Sequence, residues 1–265
     1  MTLKLYAHPL SSYCHKAIIA FYENDTPFEL KLVGDPAQTD PAVWAEFKKM
    51  WPPAKFPVLK DEARDWFVPE STIIIEYLAR HYPGKIKLIP DNPDRARQIR
   101  MGDRFYDLYV HNVMQELMTD RRRPEGEKRP GDVANAKARL TTALEMIEQE
   151  AGSKPWAMGD DFTMADCAAA PALFYGHMAM PFDKTHPKVF AYRQRLMERP
   201  SYARALKDAE PGLPFVVTTR MPDPYQWLNA LDAGAADYCG APFESIQVRW
   251  IMSSILRQQA PAVAA

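Results

Sequence analysis

The sequence predicts an α/β domain over residues 1–83, an all-α domain over 90–210 and a short β-α-β-α tail over 211–258. Three observations carry this reading. Strand-like and helix-like runs alternate as far as "HYPG". The linker "PGKIKLIPDNPD" then brings three prolines, and beyond it apolar residues recur at helical spacing with no strand signal. After "DAEPG" a strand-and-helix alternation returns.

In order, "LKLYA" reads as a strand, "SYCHKAIIAFYEN" as a helix and "PFELKLV" as a second strand with apolar residues at every other position. "DPAVWAEFKKM" is a short helix with Asp40 as N-cap and Pro41 in its first position. "KFPVLKD" and "DWFVPE" suit a hairpin, and "STIIIEYLARHY" is a helix capped by Ser71 and stopped by Pro83 and Gly84. A β-α-β-α-β-β-α order builds a small sheet with helices packed on it. Past the linker, "DRARQIRMGDRFYDLYVHNVMQEL", "DVANAKARLTTALEMIEQEAG", "TMADCAAAPALFYGHMAM", "PKVFAYRQRLMERP" and "SYARALKDA" are all helical patterns. Thr163 to Asp166 form a capping box opening an apolar helix, a folding feature rather than a catalytic one. "TDRRRPEGEKRPGD" reads as a solvated turn.

Composition narrows the function classes. With 47% hydrophobic and 25% charged residues, the 265-residue chain has the makings of a globular protein with a substantial core. A formal net charge of -1 gives no reason to expect nucleic acid or an anionic membrane as partner. Cys14, Cys167 and Cys239 are too few, and odd in number, for a disulfide framework. "MTLKLYAHPL" lacks the apolar core of a signal peptide, and no apolar run nears the roughly 18 residues that span a bilayer. A cytoplasmic protein is the expectation.

The chemistry concentrates in the first domain. "HPLSSYCHK" sits at a strand-to-helix corner, where unpaired backbone N–H groups and the positive end of the helix dipole converge. Such a corner stabilises a thiolate, the protein's own or a ligand's. Ser11 and Ser12 are also good N-cap residues, and from this segment alone capping suffices to explain them. Pro57, opening the strand in "KFPVLK", suits a cis bond after Phe56, and a strand beginning there could offer the N–H and C=O of Val58 to an extended peptide. Glu70 and Ser71 mark a second helix N-terminus, a place for a small ligand's carboxylate, and Lys55 could reach another.

Together "SSYCHKAIIAFYENDTPFE", "KFPVLKD" and "PESTIIIEYLARHYP" resemble the thioredoxin-like domain of cytosolic glutathione transferases, and the helical part with "DDFTMADCAAAPALFY" resembles their all-α domain. The similarity covers residues 3 to 208. It implies glutathione as co-substrate in the first domain, a small hydrophobic electrophile between the domains, and a homodimer. Carried over by residue, Ser11 falls where serine-type members keep the hydroxyl that contacts glutathione sulfur, with Ser12 a competitor one position on. Val58 matches the backbone contact beside the cis proline, Glu70 and Ser71 the pair holding the γ-glutamyl end, and Lys55 a contact to the glycyl end. Tyr106, Tyr109 and Met114, spaced along one helix, would line the electrophile pocket, although such a stripe is more often core.

A hydroxyl suffices for this chemistry. A free thiol has a pKa near 8.5. A hydrogen bond to a charged acceptor contributes about 1.5–3 kcal/mol, which with the helix end moves the thiol down by one to two pKa units. Serine acting as nucleophile would need a base, and His15 reads as a surface residue. Cys14 occupies the second-sulfur position of the glutaredoxin-like "CPYC" pattern, so thiol-disulfide exchange is the second reading and a non-catalytic scaffold the third. Cys167, inside "ADCAAAPALF", reads as core.

The tail "VVTTRMPDPYQWLNALDAGAADYCGAPFESIQ" resembles the second half of a response-regulator receiver domain, with Thr218 or Thr219 at the switch position and Ala241 in place of the usual lysine. No phosphoacceptor half precedes it, so phosphotransfer is not expected.

Overall fold

A computed structural model describes residues 2–209, 216–219 and 237–240. Residues 1–209 form one compact unit and 210–265 a second.

In the first unit, β1 (Leu3–Ala7), β2 (Glu29–Leu32), β3 (Val58–Asp61) and β4 (Trp66–Pro69) make a sheet in the order β2-β1-β3-β4. β1 runs parallel to β2 and antiparallel to β3, and β3 is antiparallel to β4. Helices α1 (Ser12–Glu23) and α3 (Ser71–His81) cover one face, where Leu5, Ile19, Phe21, Leu59 and Ile75 are buried together. Helix α2 (Pro41–Met50), capped by Asp40, covers the other, with Phe47 packed against Tyr6 and Val58. This is the thioredoxin-like sheet that the sequence predicts. The alternation in β2 keeps the expected phase, with Leu30 beside Leu5 and Leu32 beside Ala7, but on this edge strand both leucines remain exposed.

The helical part comprises α4 (Pro93–Phe105), α5 (Asn112–Arg122), α6 (Pro130–Glu150), α7 (Met164–Ala179), α8 (Pro187–Met197) and α9 (Pro200–Ala209). Helix α7 carries the core: Cys167 and the alanines 168–170 are buried, and α1, α4 and the segment between α4 and α5 pack on it. Small side chains there let the neighbouring backbones approach closely. Its capping box is present, and Asp166 does more than cap. Its buried carboxylate accepts from Thr163 N (2.8 Å), Ala157 N (2.8 Å) and Tyr192 Oη (2.6 Å). Thr163→Ala is expected to lower stability by about 0.5–2 kcal/mol, read as a shifted denaturant midpoint with unchanged slope.

The sequence suggests one continuous helix from 94 to 117, but α4 and α5 are joined by a π-helical segment, Tyr106–His111. The wider turn resets the side-chain phase, so the expected stripe of Tyr106, Tyr109 and Met114 breaks up. Tyr106 and Met114 are buried, whereas Tyr109 is 53% exposed.

In the second unit the described strands β5 (Val216–Thr219) and β6 (Asp237–Gly240) pair in parallel. Thr218 and Thr219 lie on β5; Ala241 and the tail's expected helices lie outside the described residues.

Candidate functional site

The β1–α1 corner delivers Ser11 as the N-cap of α1. Its backbone is extended, and its Oγ accepts from Cys14 N at 3.4 Å. That bond uses a lone pair of the oxygen; the O–H, which also lies within hydrogen-bonding reach of the Cys14 thiol, remains a donor. Ser11 lines a cavity of about 480 Å³ together with Lys55, Phe56, Pro57, Glu70 and Ser71, and with Tyr13, Ala54 and Gln115. Six residues named from sequence thus meet in one space.

The individual placements refine that reading. The Phe56–Pro57 bond is cis. Val58 lies inside β3, opposite Tyr6 on one side and Pro69 on the other, with its side chain fully buried. Its backbone is part of the sheet ladders, and it does not line the cavity. Phe56, just ahead of β3, stands outside both ladders and lines the cavity. Glu70, rather than Ser71, is the N-cap of α3, and it adopts φ 70°, a left-handed conformation costly for a residue with a side chain. Strain of this kind gathers at ligand sites, and here it sets an exposed carboxylate at the cavity beside the α3 N-terminus.

Ser12 turns inward. It is 6% exposed, and its Oγ lies 2.5 Å from Nε2 of His111 on the π-helical segment. Burial holds His111 neutral, its pKa lowered to about 3. The Tyr13 ring lies against it at 4.0 Å, Tyr13 Oη donates to Asn112 Oδ1 (2.7 Å), and the Gln115 amide reaches Nε2 at 3.1 Å. Of the serine pair, only Ser11 faces the cavity.

His15 corrects another expectation. It is fully buried, with Nε2 against Pro9 O at 2.6 Å and its ring beside Tyr175 and Tyr202, because α7 and α9 cover this face of α1. Desolvation lowers its pKa to about 4. It does not serve as a base for Ser11: Nε2 donates to that carbonyl, and Nδ1, which keeps the lone pair, is buried with no hydrogen-bond partner. Cys14 is equally enclosed: its Sγ accepts from His8 N at 3.4 Å, and burial pushes the thiol up to about 12.

Beneath Ser12 lies a buried ionic cluster. Lys16 Nζ is 2.6 Å from Asp103 Oδ1 and 2.7 Å from Asp107 Oδ2, and it donates to Thr72 Oγ1 at 2.8 Å. Arg104 adds bonds to both carboxylates. Burial holds the Asp107 carboxyl above its usual range, with Lys16 opposing the shift. The cluster ties α1 and α3 to α4.

The two neutral histidines make stability depend on pH. Their folded pKa values, about 4 and about 3, lie below the unfolded value near 6.5, so the unfolded chain binds protons first on acidification. Their contribution is whole above pH 6.5 and is lost toward pH 4 for His15 and pH 3 for His111. Each costs about 1.4 kcal/mol per pH unit once the unfolded form is protonated. Urea midpoints are expected to fall from pH 7 to pH 5, less steeply in His15→Gln. Asp107, with its raised pKa, works in the opposite direction.

Tyr106 and Tyr109 do not join Ser11. Tyr106 lines a separate apolar cavity of about 270 Å³ with Met101, Phe105, Met146, Trp156 and Met158, which shares no residue with the Ser11 cavity. Sequence reasoning missed Tyr13, His111 and Gln115. No local signal marks the last two, which reach the site from a hundred residues away.

Family models agree with this geometry. That for the glutathione S-transferase N-terminal domain matches residues 5–86, and that for the C-terminal domain matches residues 130–195. The chain belongs to the glutathione S-transferase family. It is 26% identical over 213 residues to a stringent starvation protein A homolog of Coxiella burnetii, covering 80% of this chain and 94% of that one. It is 24% identical over 205 residues to the glutathione S-transferase GstB of Escherichia coli, covering 77% and 97%. Among solved structures, a glutathione S-transferase of Methylobacterium radiotolerans in complex with glutathione sulfonate superposes with a TM-score of 0.66 at 27% identity, covering 77% of this chain and 94% of that one. No helix among the described residues of this glutathione S-transferase family member is long and apolar enough to cross a membrane.

Proposed function

We propose that the protein is a glutathione transferase in which Ser11 donates a hydrogen bond to the glutathione sulfur and the thiolate so formed attacks an electrophile. The observation that carries this reading is the Ser11 cavity itself, which sets a hydroxyl at a helix N-terminus beside Phe56, Lys55, Glu70 and Ser71. In it, the Phe56 backbone pairs with the cysteinyl unit, the Glu70 carboxylate and Ser71 hold the γ-glutamyl end, and Lys55 meets the glycyl carboxylate. Calorimetry with glutathione tests the binding, and product formation from an activated halide tests the chemistry.

Thiol transfer through Cys14 is disfavoured by the buried thiol, which stays protonated at neutral pH. Cys14→Ala is therefore expected to keep conjugation within about threefold of the parent, because a small core residue replaces another. A tenfold loss, with thiol transfer lost too, would move the chemistry to Cys14. The scaffold reading draws on the likeness to the stringent starvation protein A homolog, and absence of glutathione binding at millimolar concentration would favour it.

A homodimer is also part of the proposal. Trp66 and Phe67 on β4, Ile73 on α3, and Met101, Leu108 and Tyr109 leave exposed apolar surface suited to a second copy. Sedimentation equilibrium tests it. Cytoplasmic residence is proposed on the free thiols of Cys14 and Cys167.

A further inference from the structure

We propose, on the reading that the Ser11 cavity holds glutathione, that the second substrate is a zwitterionic, amide-rich electrophile of the amino-acid or short-peptide kind, seated between α5 and α6. A groove of about 930 Å³ runs there, and Val133 and Ala138 are the only apolar side chains among its lining residues. It adjoins the Ser11 cavity: Gln115 lines both, and the Tyr13–Asn112 hydrogen bond links a wall of one to a wall of the other.

The groove's groups are of both signs. Arg123 lies 3.1 Å from Asp120 Oδ1, and Arg139 bonds Glu116. Each guanidinium has five N–H donors, so a single carboxylate partner leaves donors for a ligand carboxylate. Asp132 and Glu116 are exposed and suit a ligand ammonium. Asn112, Gln115 and Asn135 supply both amide donors and acceptors, the complement of a peptide bond. An apolar arene laid over these exposed groups returns no hydrogen bond, whereas a peptide does. The apolar cavity lined by Tyr106 and Met101 lies apart from the sulfur site.

In the reaction the glutathione sulfur, its proton already passed to solvent, attacks the electrophilic carbon. A sulfur–carbon bond forms, and the leaving group departs with the bonding pair.

Two chloroacetamides with one reactive group decide the matter: N-benzylchloroacetamide, and a tripeptide with free termini whose central lysine is chloroacetylated on Nζ. Chloride leaves in both. The expected kcat/KM is about tenfold or more higher for the peptide, the scale of one or two well-placed polar contacts. Arg139→Ala and Asn135→Ala should each lower the peptide value several-fold while the calorimetric Kd for glutathione holds. Equal or faster turnover of the benzyl compound by glutathione-loaded protein overturns the inference and leaves the proposed function standing. So does a peptide rate indifferent to both substitutions. Failure to bind glutathione overturns both.

Discussion

Ser11→Ala is expected to lower kcat/KM for glutathione conjugation at pH 7 by roughly eight- to twenty-five-fold, with glutathione affinity changed far less. At the β1–α1 corner Ser11 and Tyr13 both line the cavity, but Tyr13 Oη donates to Asn112 and Ser12 is buried against His111, which leaves Ser11 as the donor for the sulfur. Losing a hydrogen bond to a charged acceptor removes about 1.5–3 kcal/mol of thiolate stabilisation, or one to two pKa units. The bound thiol then drifts back toward its solution value, and the thiolate fraction at pH 7 falls from between roughly a quarter and three-quarters to roughly 3%. The recognition contacts at Phe56, Glu70 and Ser71 are untouched, so the loss appears in kcat at saturating glutathione and recedes above pH 9, where the thiol ionises unaided. Ser12→Ala separates the two hydroxyls. It should disturb stability through the His111 contact and leave the bound thiol's pKa where it was.

Lys16→Met is expected to destabilise the fold by about 3–5 kcal/mol, the cost of stripping one partner from a buried ion cluster. Lys16 and both of its carboxylates are almost wholly buried, with side-chain exposures of 1%, 0% and 4%. Removal of the ammonium leaves Asp103 and Asp107 facing each other, with only the partly exposed Arg104 to offset them. Guanidinium unfolding with a parallel glutathione-binding assay checks this. The deficit should shrink on acidification, because Asp107 already sits above the usual carboxyl range and readily takes up a proton. Lys16→Met combined with Asp103→Asn and Asp107→Asn should recover much of the loss. A single-variant loss under 1 kcal/mol would show the cluster to be solvated and incidental.

The sheet half of the molecule was legible because its signals are local. A proline opening a strand, an N-cap serine at a corner and the "PES" at a helix start each carry their meaning within a few residues, and Ser11, Lys55, Phe56, Pro57, Glu70 and Ser71 all reached one cavity. Val58 is paired within the sheet and does not line the cavity, whereas Phe56 before it does, because a strand's first paired residue and the free residue ahead of it look alike in sequence. The helical half hid more. The π-helical turn at 106–111 breaks the period on which the Tyr106–Tyr109–Met114 stripe depended, and it brings Asp107 and His111 toward α1. His15 looked external because its burial comes from Tyr175 and Tyr202, on α7 and α9 far along the chain. Leu30 and Leu32 alternate as a core strand should, yet an edge strand has no neighbour to cover them.

Thiolate absorbance near 240 nm, titrated on the glutathione complexes of the parent and of Ser11→Ala, addresses the central claim without dependence on any electrophile. The account predicts a midpoint one to two units below the solution value of about 8.5 for the parent, and a return toward that value on losing the hydroxyl. A parent midpoint equal to that of free glutathione, or an identical midpoint in both proteins, would contradict it.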